Sequence, residues 1–65
     1  MAGYLNSSRV RCITGQPVIV RARKDNAVEI SSSYGDWKAA FTTQAAEELA
    51  HRIGLAAQAI QRRAA

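Results

Sequence analysis

The apolar pattern of this chain changes period once. Between Arg9 and Phe41 short segments alternate hydrophobic and polar residues at every second position, and from Thr42 onward hydrophobic residues recur at three and four. A period of two marks a half-buried strand and a period near three and a half an amphipathic helix, so a strand region must be followed by a helix. In 65 residues there is room for a single domain, which at this size buries about 60% of the surface its unfolded chain exposes. The expected fold over residues 1–65 is α+β: a three- or four-stranded antiparallel sheet, then one long C-terminal helix packed on one of its faces.

Residues 1–8 lack periodicity and read as a flexible N-terminal arm. From Arg9 to Ile13 the chain alternates, with Val10 and Cys12 on one face and Arg9 and Arg11 on the other. This segment is short enough to be either an edge strand or part of the arm. Thr14-Gly15-Gln16-Pro17 is a turn, and Val18 to Arg23 resumes the alternation with Arg21 and Arg23 on one face. The polar break Lys24-Asp25-Asn26 suits a tight turn, because Asp and Asn tolerate the left-handed backbone conformation. Ala27 to Ser32 reads as a strand with Val28 and Ile30 inward and Glu29 and Ser31 outward. Gly35 is the expected positive-φ residue of the turn Ser33-Tyr34-Gly35-Asp36. The strand Trp37 to Phe41 follows, with Trp37, Ala39 and Phe41 on the core side.

Thr42 or Thr43 can cap the helix by accepting a free amide hydrogen of its first turn. Glu47 and Glu48 lie near its start and Arg62 and Arg63 at its end, as the helix dipole favours. Leu49, Ile53 and Ile60 share a stripe with Ala45, Ala46, Ala50, Ala56 and Ala57, while Glu47, His51, Gln58 and Gln61 lie opposite. Glu48 and Arg52, four apart, can pair. Gly54 leaves two readings open, a continuous helix from about 43 to 63 or a break at the glycine. A continuous helix of that length spans about 31 Å and overhangs strands of ~17–20 Å. The overhanging residues Leu55, Ala56, Ala59 and Ile60 are therefore the expected contact of a homodimer, or of a protein partner. A core this small usually needs such support.

Chemistry is sparse. Cys12 is the only cysteine and His51 the only histidine, so one chain can close neither a disulfide nor a tetrahedral metal site. The four glycines are dispersed, and no phosphate-binding loop is present. These features predict a protein that is not an enzyme and has no cofactor, metal or small-molecule substrate. No stretch has the apolar length of a membrane span, and the start lacks the pattern of a secretory signal. A lone cysteine fits a reducing compartment, so the expected location is cytoplasmic, away from membranes.

Nine Lys and Arg against five Asp and Glu give a formal net charge of +4, which favours acidic partners such as nucleic acid. Antiparallel pairing of the strands would collect Arg9, Arg11, Arg21, Arg23 and Lys38 on one sheet face, with only Glu29 against them. Such a face can follow phosphates, and arginine can read guanine in a major groove wide enough for a β-ribbon. The other reading is a solvated outer face whose charges keep sheet edges from aggregating. Tyr34 beside Gly35 is a candidate contact residue, whereas Tyr4 carries no signal.

Strands followed by a helix, with Trp37 to Phe41 running into Thr42-Thr43-Gln44-Ala45-Ala46-Glu47, resemble the three-stranded DNA-binding domains of plant ethylene-response proteins. The pattern is also similar to the arm-binding domains of phage integrases. The resemblance covers about Val18 to Ile53. It implies a sheet lying in the major groove, with Arg21, Arg23 and Lys38 as the matching sheet residues. The helix opening is also similar to small uncharacterised proteins of actinobacteria and their phages, which implies no activity. The leading expectation is a small DNA-binding or regulatory protein, phage-encoded by resemblance. The alternative is a protein interaction module that uses an exposed strand edge or the C-terminal helix.

Overall fold

The computed structural model describes residues 3–64. Four strands precede one helix: β1 (Tyr4–Arg11), β2 (Pro17–Arg23), β3 (Ala27–Ser32), β4 (Lys38–Thr42) and α1 (Thr43–Ala64). The strands form one antiparallel sheet in the order β1-β2-β3-β4. Sequential hairpins produce this order because each link has the residue its turn needs. Gly15, Asn26 and Gly35 hold φ values of 90°, 69° and 78°, a region where glycine meets no Cβ penalty and asparagine only a small one.

The expected arm is largely strand. Residues 4–8 pair with β2, from Ser8 opposite Val20 to Tyr4 opposite Arg23, with a register shift between Tyr4 and Asn6. Backbone pairing needs no alternation of side chains, so the polar Asn6-Ser7-Ser8 can form a strand that hydrophobic patterning misses. Met1 and Ala2, also assigned to the arm, lie outside the described residues. At its other end β1 stops at Arg11. Cys12, expected beside Val10 on one face of that strand, is a half-buried free thiol beyond its end, and Ile13, expected to close the segment, is fully exposed.

Residues directly opposite on neighbouring strands share a face. One face therefore carries Val10, Val18, Val20, Ala22, Val28, Ile30, Ala39 and Phe41. The other has two cross-strand rows, Arg9–Ile19–Ser31–Lys38 and Ser7–Arg21–Glu29–Ala40. Burial reverses the expected sidedness. Glu29 is 3% exposed, Ser31 7% and Ile19 8%, all on the basic face, while no residue of the apolar face is buried beyond the half-way class except Ser32. Glu29 and Ser31, expected to point outward into solvent, are both buried, Glu29 because the long side chains of Tyr4, Arg21 and Arg23 converge on its carboxylate. Nothing comparable covers the valines.

The helix explains the open apolar face. Thr42 Oγ1 accepts the Ala45 amide hydrogen at 3.1 Å, which makes Thr42 the cap, and the helix runs unbroken through Gly54. Arg52 pairs with Glu48 at 3.2 Å, and Arg62 and Arg63 occupy the last turn, although no acidic residue stands in the first. Since α1 starts at the residue after β4 ends, no loop is available to fold it back, and it approaches only β4 and β3. Ala46 and Leu49 are half-buried, but Ile53, Leu55 and Ile60 are exposed. The packed helix expected from the sequence is thus packed at its first turns and projects beyond them, giving a molecule of 47 × 27 × 17 Å. No helix among the described residues is long and apolar enough to cross a membrane.

Candidate nucleic-acid interface

Every cation singled out on the strands reaches the same face. Arg9 and Lys38 end one cross-strand row, opposite Ile19 and Ser31 respectively, three strand spacings or ~14 Å apart. Arg21 lies in the adjacent row opposite Glu29. Arg11 and Arg23 occupy the two ends of the β1–β2 ladder, opposite Pro17 and Tyr4. A period of two along each strand and antiparallel register across them are sufficient to bring these residues together.

The cations divide into two groups by their partners. Arg21 Nη1 lies 3.6 Å from Glu29 Oε2, and Arg23 Nη1 lies 3.8 Å from Glu29 Oε1. Arg23 also forks onto Asp25, with Nε donating to Oδ1 at 3.0 Å and Nη2 to the other oxygen. Arg9, Arg11 and Lys38 form no ion pair among the described residues and are exposed. The buried carboxylate thus holds Arg21 and Arg23 in place and offsets their charge, leaving Arg9, Arg11 and Lys38 to carry the positive field of the face.

Tyr4 completes the support of Glu29. Its hydroxyl donates to Glu29 Oε2 at 3.2 Å, and the Arg21 guanidinium sits 4.9 Å from the centre of its ring, within cation–π range. No buried side-chain oxygen or nitrogen among the described residues lacks a partner. Hydrogen bonding from Arg23 holds the Asp25 carboxyl below the usual aspartate range, and Asp25 raises the Arg23 guanidinium above its ordinary value. Arg23 is therefore a cation at any physiological pH.

Two open hollows flank Tyr4. The first, of about 310 Å³, is bordered by Tyr4, Arg21, Tyr34, Trp37 and Lys38, with Glu29 and Ser31 on its floor. The second, of about 550 Å³, lies between Tyr4, Arg23, Lys24 and Lys38. Trp37 corrects the sequence reading: it precedes β4, is 45% exposed and borders the basic hollow instead of entering a core. Phe41, four residues on, does share the apolar face, opposite Val28. Tyr34 is exposed, as expected.

Tyr4 and Asp25 were not legible as parts of this site. Asp25 had a signal, since Arg23 and Asp25 flank the residue at which the chain begins its turn. Tyr4 had none, because its position over Arg21 depends on the register shift that follows it. Leu55, Ala56, Ala59 and Ile60 lie on the projecting helix, all exposed and away from the basic face's hollows. Comparison with protein-family models, with curated proteins and with solved structures finds no match.

Proposed function

We propose that this chain is a small non-enzymatic DNA-binding protein of regulatory type whose basic sheet face contacts the phosphate backbone. One observation carries the reading: Arg9, Arg11 and Lys38 stand exposed and unpaired, among the described residues, on the face that also holds Arg21 and Arg23. Unpaired cations spaced over ~14 Å suit a run of phosphates, and their bound counterions are released on contact. The aromatic rim adds support, because Tyr34 and Trp37 offer π-faces beside Arg21 and Lys38 on which an unstacked base can lie. The test is fluorescence anisotropy of labelled duplex and single-stranded oligonucleotides at low salt, followed by titration with salt. Binding that weakens steeply with salt supports the reading, and no binding at low salt removes it.

A second reading rests on a different surface. Ile53, Leu55 and Ile60 are exposed along the helix at 59%, 49% and 62%, which favours a protein interaction module. A pull-down partner lost with Leu55→Asp or Ile60→Asp, together with absent DNA binding, would favour it over the first.

A further inference from the structure

A compact 7.0 kDa chain presents roughly 4,000 Å² to solvent, whereas this one presents 5367 Å², an excess on the order of 1,300 Å². Its radius of gyration, 13.6 Å, compares with about 10.7 Å for a compact domain of this length. The excess has two sources within the same chain. The apolar sheet face, with Val18, Val20, Ile30 and Phe41, is only half-buried, covered by no more than the first turns of α1, and the helix stripe with Ile53 and Ile60 runs on exposed beyond them. A sheet face and an amphipathic helix are the two halves of one layered core.

The chain keeps these halves apart by its own connectivity. Connections that let a helix turn back onto a sheet typically take two to six residues, and between Thr42 and Thr43 there are none. A second copy is free of that constraint. We propose that two copies exchange helices, α1 of each lying across the Val18–Val20–Ile30–Phe41 face of the other.

Area and charge both select a second copy as the occupant. Burying the excess on both chains would remove about 2,600 Å², within the range of obligate homodimers and above the ~1,600 Å² of a standard interface. Two chains of net charge +4 repel, yet the sheet cations sit on the opposite face from the valines. On the helix, at 100° per residue Arg62 falls well off the apolar stripe and Arg52 just outside it, while Arg63, in the last turn, lies at its edge. Two-fold exchange is self-complementary and closes on itself, so the assembly stops at two. It also differs from a helix-to-helix contact through Leu55, Ala56, Ala59 and Ile60. The basic faces stay outward, and the proposal does not depend on nucleic-acid binding.

The test uses the full chain without nucleic acid. Sedimentation equilibrium from micromolar to hundred-micromolar concentration should give about 14 kDa, twice the chain mass of 7.0 kDa, with a melting temperature that rises with concentration. Ile53→Glu, at a position exposed in the single chain, would barely move the melting temperature of a monomer. Under exchange it should lower it sharply and halve the mass. Cysteine pairing locates the contact even if that variant does not fold. In a Cys12→Ser background, the Val20→Cys chain is refolded under oxidising conditions with the Ile53→Cys or the Ile60→Cys chain. A disulfide joining a sheet variant to a helix variant supports exchange. A mass of 7.0 kDa throughout, disulfides only between two helix variants, or none at all would overturn it.

Discussion

The Tyr4 hydroxyl donates a hydrogen bond to the Glu29 carboxylate at 3.2 Å, tying β1 to β3 across the strand between them. Glu29 is 3% exposed, so this contact lies where a lost partner is costly. Hydrogen bonds to charged groups contribute about 1.5–3 kcal/mol, and here Arg21 and Arg23 remain to share the carboxylate. Tyr4→Phe keeps the ring under Arg21 and should lower stability by about 1–2 kcal/mol. Urea unfolding at fixed protein concentration measures it. An unchanged midpoint would mean the hydroxyl bonds water as well as it bonds Glu29.

Arg21 and Glu29 should behave as a coupled pair. Removing one partner of a buried charge leaves the other uncompensated, commonly at about 3–5 kcal/mol, whereas removing both costs less. The residual support from Arg23 and Tyr4 puts Arg21→Ala at or below the lower end of that range, at about 2–3 kcal/mol. The double variant Arg21→Ala/Glu29→Ala should be more stable than the sum of the single losses predicts, with a coupling of about 1 kcal/mol or more. A double-mutant cycle by chemical denaturation reads this directly. It follows that Arg21→Ala and Arg23→Ala are poor probes of binding, since they disturb the fold as well as the surface.

That coupling also marks where sequence reading ran out. The bounds of β3 and the turns at Gly15, Asn26 and Gly35 follow from local chemistry, each residue's own backbone preference, and local chemistry is visible in a sequence. The collection of Arg9, Arg11, Arg21, Arg23 and Lys38 on one face follows from periodicity plus antiparallel pairing. Burial of Glu29 does not, because it requires Tyr4 to arrive from 25 positions away through a strand with no hydrophobic alternation. The open valine face was hidden for a similar reason. An apolar stripe and an apolar sheet look like one core in sequence, and only the absent linker at Thr42-Thr43 keeps them apart.

Gly54 provides a stabilising test of helix continuity. Its position lies inside α1, its φ is not in the left-handed region, and a Cβ there meets nothing within 4 Å. Gly54→Ala should therefore raise stability by about 0.8–1 kcal/mol, the helix-propensity difference. Thermal melting followed by circular dichroism would register the gain. A loss would mean that the glycine makes a close contact in the assembled protein.

Acid should weaken the Arg23–Asp25 clasp late. Because the Arg23 hydrogen bond depresses the Asp25 carboxyl, its stabilising contribution is complete above the ordinary aspartate range and is lost as pH falls through the depressed value. An NMR titration of the Asp25 side-chain carbonyl should show a midpoint below that of a free aspartate. In Arg23→Gln the midpoint should move upward. Equal midpoints in the two proteins would mean that the pair is open in solution.

Binding at the basic face is tested most directly by the salt dependence of oligonucleotide affinity in the parent chain and in Arg9→Ala/Arg11→Ala/Lys38→Ala. These exposed positions have no ion pair among the described residues, so the triple variant should keep its fold by circular dichroism. Each phosphate contact contributes about −0.9 to the slope of log K against log salt on duplex DNA and about −0.7 on single strands. The face described above predicts a clear negative slope for the parent that flattens by about 2–3 in the variant, with affinity falling at low salt. Equal slopes and affinities in the two proteins, or no binding by the parent, would contradict it.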